Sequence, residues 1–245
     1  MMSTTLEFSV IVPVFNEAGN VAHLVEEISA ALDGRAYEMI FVDDASIDET
    51  YANLVGLKGQ FRTLRVLRHR TNCGQSRAIR SGLEAARGRV IGLLDGDGQN
   101  NPADLPDLYR QLTRPGAPEN LALVMGERTN RQDSSWKIFG SRVGNAVRRW
   151  VLRDNSRDSA CGIKVVNADL FRKLPYFDHM HRYMPALVQA EGYRVETRPV
   201  SHRVRRAGKT KYTNLGRLAD GWADLRAVAW LMRRRRHPGS VEEAS

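Results

Sequence analysis

The chain has 245 residues, a formal net charge of +9, 42% hydrophobic residues and 27% charged residues. That is ordinary for a soluble globular protein of one large or two small domains, and it excludes disordered, collagen-like and coiled-coil classes. Two cysteines, Cys73 and Cys161, exclude a disulfide framework, fit no zinc-motif spacing and suit a reducing, cytoplasmic setting.

The start, MMSTTLEFSV, lacks the basic-then-apolar pattern of a signal peptide. Phe8–Val12 reads as a buried strand, and 18–32 as a helix with Val21, Leu24, Val25 and Ile28 on one face. Met39–Val42 is the next strand, 48–57 the next helix and Leu64–Leu67 a third strand. A helix over Gln75–Arg87 closes at Gly88, followed by a strand at Val90–Leu94, a helix at Ala103–Leu112 and a strand at Leu121–Met125. The second half is less regular. It holds an Arg-rich helix over Ser135–Leu152, strands at Gly162–Asn167 and Tyr193–Val200, and a basic loop over Arg203–Thr213. A helix over Leu215–Met232 and the run Arg233–Arg236 end the pattern. Alternation of strands apolar on both faces with helices predicts an α/β fold with a mostly parallel sheet flanked by helices. The simplest division is a domain over 1–213 and an amphipathic helix with a basic tail over 214–245.

Charge is unevenly placed. Residues 1–125 sum to −4 and residues 126–245 to +13. A basic second half calls for an anionic partner: phosphates, a membrane surface or nucleic acid.

Open parallel sheets bind ligands beyond the C-terminal ends of their strands. Here those ends are acidic: Asn16-Glu17 after the first strand, Asp43-Asp44 and Asp48 after the second, Asp95-Gly96-Asp97 after the fourth. Asn16, Asp48 and Asn101 also stand where helices begin and suit N-caps. Carboxylates converging from several turns repel unless a cation sits among them. Asp95 and Asp97, two residues apart with a glycine between, can face one hard cation, and Gln99 adds an oxygen. Such ligands suit Mg²⁺ or Mn²⁺ bound together with substrate phosphates.

In these motifs the sequence resembles the inverting glycosyltransferases of family 2, which have a GT-A, Rossmann-like fold. Val12-Pro13-Val14-Phe15-Asn16-Glu17 is similar to their first-strand motif. Val42 to Thr50 is similar to their V-D-D-G-S-x-D-x-T signature, with Ala45 in place of the glycine. Asn72-Cys73-Gly74 through Ala86-Arg87-Gly88 resembles a further family segment. Within the family, the chain is most similar to the dolichol-phosphate mannose synthase group, the polyprenyl-phosphate glycosyltransferases. The match runs through Asp95-Gly96-Asp97-Gly98-Gln99 with Pro102 and Pro106, through Gly126-Glu127-Arg128, and through Arg205 to Tyr212, where Thr210 replaces a serine. The resemblance covers roughly residues 7–213. The trailing transmembrane helices of many bacterial members are absent from it.

The resemblance implies that Pro13, Phe15, Glu17 and Asp44 hold the base and ribose of a nucleotide-diphosphate sugar, and that Asp95, Asp97 and Gln99 hold Mg²⁺ or Mn²⁺. It implies that Arg128, Arg142, Arg205 and Lys211 surround the donor and acceptor phosphates, with a polyprenyl phosphate as acceptor. Asp158 falls in a D-x-x-x-G segment near the acceptor. The basic loop carrying Arg205 and Lys211 is read as standing away from the acidic turns. An anionic acceptor needs no general base but extra positive charge, which the basic half supplies. The alternative is transfer to a saccharide hydroxyl, with Asp158 as base. No nucleic-acid motif appears, so nucleic acid is not expected as a partner. His179 and His181 read as structural or sugar-contacting rather than as a metal pair.

In the last helix, Leu215, Leu218, Trp222, Leu225, Ala229 and Met232 share one face. With the arginine run, this reads as an interfacial anchor at the inner face of an anionic membrane; packing on the core is the alternative. Asp220, Asp224 and Arg226 exclude a transmembrane span.

Overall fold

The computed structural model describes residues 6–128, 146–154, 156, 158–203 and 214–235, with 214–220 as backbone only. The strands are β1 (Phe8–Val14), β2 (Tyr37–Asp43), β3 (Leu64–Arg68), β4 (Val90–Leu93), β5 (Leu121–Arg128), β6 (Lys164–Asn167) and β7 (Arg194–Val200). The helices are α1 (Val21–Ala31), α2 (Thr50–Leu57), α3 (Gln75–Ala85), α4 (Leu105–Thr113), α5 (146–152), α6 (Ala168–Lys173), α7 (Met184–Ala190) and α8 (Asn214–Arg234).

All seven strands form one sheet in the order β3-β2-β1-β4-β6-β5-β7. β1, β2, β3 and β4 pair in parallel, as do β5 and β7. β6 runs antiparallel to both β4 and β5. The mostly parallel α/β sheet expected from the sequence is therefore present, with one reversed strand. The period-two alternation of the strands divides the core. Val10, Val12, Met39, Phe41 and Val124 face the side covered by α1, α2 and α4. Ile11, Ile40, Val42, Leu123 and Val166 face the side covered by α3, α6, α7 and the second half of α8.

The chain steps from β1 outward to β2 and β3, then returns through α3 to place β4 on the other side of β1. Strand order reverses at β1, and open sheets hold their ligand crevice at the C-terminal strand ends beside such a reversal.

Several boundaries differ from the sequence reading. Helices α6 and α7 were not expected. They are six and seven residues long, too short to show a clear apolar period, and α7 carries Pro185 in its first turn. The helix expected from Ala103 begins as a 3₁₀ turn at Pro102–Asp104, which Asn101 caps by accepting the Ala103 N–H at 3.2 Å. Of the helix expected over Ser135–Leu152, only 146–152 lies within the described residues, and of the basic loop only Arg203.

The last helix turns its apolar stripe inward over its described half. Leu225, Val228 and Ala229 are buried in the core, and Leu231 and Met232 pack against it. This is the core-packed arrangement rather than a free amphipathic ribbon. Trp222, read in the sequence as part of that stripe, instead faces outward with Trp230, at 56% and 58% exposure, because the inward stripe runs through Leu225, Val228 and Ala229. Tyr183 pins the helix by donating to the Gly221 carbonyl at 3.3 Å.

The two histidines beside α7 part company. His179 Nδ1 lies 2.9 Å from Asp224 on α8, while His181 Nδ1 meets Ser76 Oγ on α3 at 2.8 Å. They do not form a metal pair. His181 is partly buried, and desolvation there holds its imidazole well below the ordinary 6.5, with Arg182 adding to the effect. The folded state therefore refuses a proton that the unfolded state accepts. Stability is complete above about pH 6.5 and falls as the pH drops below it, by about 1.4 kcal/mol per unit for this one group until the folded value is reached. A His181→Gln variant should lose that share of the acid-side slope in denaturant titrations between pH 7 and 5.

Candidate functional site

The loops after β1 and β2 are stitched to each other. The Asn16 N–H donates to Ser46 Oγ at 2.8 Å, and the Ile47 N–H donates to Asn16 Oδ1 at 2.9 Å. The Glu17 N–H donates to Thr50 Oγ1 at 2.8 Å, and the Asp48 carboxylate takes the Thr50 N–H at 3.0 Å. Asn16 thus serves as a cross-loop tie rather than as a cap. It and Ala45 adopt positive φ, +50° and +63°. For the alanine this conformation costs about 1 kcal/mol, because its Cβ crowds the next carbonyl. Pro13 and Phe15 are partly exposed at the crevice, whereas Glu17 is buried and accepts the Asn20 amide at 2.6 Å.

Asp44 is buried and heavily engaged. Its Oδ1 accepts the Cys73 N–H at 2.9 Å and lies 2.6 Å from His69 Nδ1; its Oδ2 accepts the Gly74 N–H at 2.8 Å. It therefore anchors the 72–74 turn, which starts α3. Gln75, the next residue, donates from Nε2 to Asp95 Oδ1 at 2.8 Å. One short stretch of α3 so links the acidic turns after β2 and β4.

Gly96 is required by the crevice itself. A Cβ there would stand 2.6 Å from Val14 Cγ1 and 2.8 Å from the Pro13 carbonyl. Only a glycine lets the turn after β4 lie against the end of β1, with Asp95 and Asp97 on either side. Asp97 accepts the Gln99 N–H at 3.1 Å, and Asp95, Asp97 and Gln99 are all partly exposed. Two carboxylates and an amide oxygen on a turn held this closely are a hard-oxygen donor set that fits Mg²⁺ or Mn²⁺.

The far wall of the crevice comes from the second half of the chain. Arg128, at the end of β5, forks onto Asp158, with Nε and a terminal nitrogen donating to the two carboxylate oxygens at 2.7 Å each. The pair is largely buried, at 14% and 8% side-chain exposure. Buried Arg148 on α5 binds Asp154 and donates to the Ser156 carbonyl at 2.6 Å, steadying the same segment. Gly162 then packs directly on Asp95: a Cβ on it would fall 2.0 Å from Asp95 Oδ2. Beneath both acidic groups, Lys164 of β6 is buried and donates to the Cys161 carbonyl. Burial pulls its ammonium down, and the neighbouring Cys161, Asp95 and Asp158 partly restore it.

The start of the basic loop is strapped onto the acidic turn. Ser201 donates through N and Oγ to Asp104 at 3.1 and 3.0 Å, His202 bridges Asn100, and the Arg203 N–H donates to the Gln99 carbonyl at 2.9 Å. The segment that leads into the basic loop thus leaves the sheet beside the Asp95–Gln99 turn, the turn read as metal-binding rather than those assigned to the nucleotide. The reason is tertiary, since β7 lies beside β5, far from β4 in sequence order. Arg205, Lys211 and Arg142 themselves lie outside the described residues.

Sequence reasoning assigned no role to His69, Gln75 or Lys164. His69 sits in a polar stretch with no motif of its own, Gln75 lies inside the family segment from Asn72 to Gly88 without being singled out, and Lys164 carries no signal except its closeness to Asp158. Gly162 was marked only as the glycine of the D-x-x-x-G segment.

Comparisons with known proteins bear on family and fold. The model of the family "Glycosyl transferase family 2" matches residues 9–174. The chain is 34% identical to dodecaprenyl-phosphate galacturonate synthase of Rhizobium johnstonii, over 96% of this chain and 70% of that protein. It is 29% identical to undecaprenyl-phosphate 4-deoxy-4-formamido-L-arabinose transferase of Edwardsiella ictaluri, over 85% of this chain and 64% of that one. The chain thus spans about two thirds of the length of these relatives. Glucosyl-3-phosphoglycerate synthase of Mycobacterium tuberculosis, solved with Mn²⁺, UDP-glucose and glycerol 3-phosphate, superposes with a TM-score of 0.68 at 19% identity. The superposition covers 95% of this chain and 82% of that one, a likeness of fold.

A methyl group at position 162 has no room while Asp95 keeps its place. Gly162→Ala should therefore weaken Mn²⁺ binding about 10–100-fold, the usual result of disturbing the groups behind a metal ligand. Calorimetric titration of the folded variant with Mn²⁺ and a nucleoside diphosphate measures this; unchanged affinity would show that Asp95 is not a ligand.

Proposed function

The chain belongs to glycosyl transferase family 2 and is a glycosyltransferase of GT-A fold, and from that membership we propose that it moves a sugar, with inversion, from a nucleotide-diphosphate sugar to a polyprenyl phosphate. The observation that carries this reading is the strap of residues 201–203 onto the Asp95–Gln99 turn. It brings the start of the chain's most basic loop to a hard-cation turn, as joining two phosphate-bearing substrates requires. The names of the two curated relatives, both polyprenyl-phosphate sugar enzymes, support the same acceptor class.

Pro13, Phe15, Glu17 and Asp44 line or brace the nucleotide side of the crevice. Asp95, Asp97 and Gln99 hold the divalent ion, Mg²⁺ or Mn²⁺, which neutralises charge on the departing diphosphate when bound. Arg205, Lys211 and Arg142 are assigned to the phosphates. Arg128 acts with Asp158 as a clamp on the acceptor wall. The clamp also weighs against transfer to a saccharide hydroxyl. Both Asp158 oxygens carry guanidinium hydrogen bonds, and taking a proton would break that fork. An acceptor phosphate arrives ionised and needs no base.

Asp97→Ala should lower the transfer rate by roughly 10²–10³, as losing one charge-stabilising group does, and excess chelator should stop turnover. Radiolabelled sugar should pass to an isoprenyl phosphate and not to a neutral saccharide. Transfer to the saccharide alone, or full turnover in chelator, would overturn the reading.

No helix among the described residues is long and apolar enough to cross a membrane. We assign the division at residue 213 to function: 214–245 serve attachment to an anionic membrane surface at the inner face. From Leu225 to Met232 the apolar stripe packs on the core, so we assign the contact to the outer stripe of α8, where Trp222, Arg226, Trp230 and Arg233 follow at helical spacing, all exposed. Indole rings favour the headgroup region, and each arginine near anionic lipid adds about 1 kcal/mol. Arg226→Ala with Arg233→Ala should thus weaken binding to phosphatidylserine-containing vesicles roughly 30-fold at low salt, with less effect at high salt. Equal co-sedimentation of variant and parent would refute this surface.

A further inference from the structure

Beside the hard-oxygen turn lies a second constellation with different chemistry. Asp44, His69 and Cys73 each offer a ligand atom, and the three atoms lie within 4.8 Å of one another. We propose that they form a thiolate-containing site for Zn²⁺ or a similarly soft divalent ion, and that filling it blocks the donor nucleotide.

The surroundings are arranged as a metal site requires. Asp44 is oriented by the N–H groups of Cys73 and Gly74, at 2.9 and 2.8 Å. His69 is held at its other nitrogen, Nε2, by Ser81 Oγ at 2.9 Å. A ligating imidazole whose second nitrogen is fixed by a hydrogen-bond partner is the usual arrangement around zinc. The Cys73 thiol is exposed and now donates to the Thr71 carbonyl at 3.3 Å, so an ion reaches it without opening the core. Zinc with bonds of about 2.0–2.3 Å sets its ligand atoms roughly 3.2–3.8 Å apart. The Asp44–His69 pair, at 2.6 Å, needs only to open slightly as the shared proton leaves the space between them.

The proton count is simple. The thiol releases one proton to solvent and becomes the thiolate ligand. As the ion binds, the imidazole proton now shared between Nδ1 and Asp44 is exchanged through solvent for one on Nε2, which donates to Ser81 Oγ, and the Nδ1 lone pair is freed for the ion with no net proton change at the ring. The carboxylate is already ionised. One proton is released per ion bound, and the fourth position stays open. Mg²⁺ and Mn²⁺ prefer oxygen and remain at Asp95 and Asp97, whereas thiolate and imidazole select the softer ion.

The blocking role rests on the assignment of Asp44 to the donor nucleotide; the binding site does not. With excess Mg²⁺ present, one equivalent of Co²⁺ added to the full chain should give a near-ultraviolet thiolate-to-cobalt absorption band. Zn²⁺ should erase the band, and Cys73→Ser should lack it. Zn²⁺ should inhibit transfer by the parent at least tenfold more strongly than by Cys73→Ser, with the inhibition relieved by more donor. No band, or the same band in Cys73→Ser, overturns the site. A band without donor-relieved inhibition overturns the blocking role and the nucleotide assignment of Asp44, while the site stands.

Discussion

Asp44, Asp95, Asp97 and Asp158 all reach the same end of one sheet, and their mutual repulsion is the constraint around which the rest is arranged. Two like charges about 4 Å apart cost roughly 1 kcal/mol in water and about 4 kcal/mol in a partly shielded crevice. Asp44, Asp95 and Asp158 are accordingly each met by donors from another element. The 72–74 turn and His69 answer Asp44, Gln75 of α3 answers Asp95, and Arg128 at the end of β5 answers Asp158. Lys164 lies buried below them on β6, the strand that joins the two halves of the sheet. Negative charge is thereby kept at the strand ends that carry the proposed site.

The same constraint explains the small residues. Gly96 lets the turn after β4 approach β1, and Gly162 lets the segment after Asp158 approach Asp95. With a side chain at either glycine, the turn after β4 could not keep its contact with β1, nor the 158–162 segment its contact with Asp95. The reversed strand β6 matters for this reason: it runs away from the crevice, so Gly162 and Lys164 at its start lie at the catalytic end.

Helix α8 shows how packing decides what a surface can do. The spacing of Leu225, Ala229 and Met232 suits either a bilayer or a core. In the fold they complete the layer formed by α3, α6 and α7, which would otherwise expose apolar surface. The tryptophans and arginines of the opposite stripe are thereby turned outward. Over its described half, α8 thus offers lipid a stripe of tryptophan and arginine rather than its leucines.

Much of this was legible in the chain. The β-α-β-α rhythm of residues 8–125 determined the parallel half of the sheet, because strands buried on both faces must be continuously apolar and their crossover helices must not be. The acidic turns and the family motifs marked Asp44, Asp95, Asp97, Arg128 and Asp158, because local chemistry at strand ends survives without knowledge of the partners. What tertiary structure alone decided was the pairing across long separations. Arg128 with Asp158, Gly162 against Asp95, Gln75 on Asp95, Arg203 on Gln99, and the inward turn of α8 all depend on which strands become neighbours. Strand order is set by the summed packing of both faces of the sheet, a property of no single stretch of sequence, and so those contacts left no local mark to read.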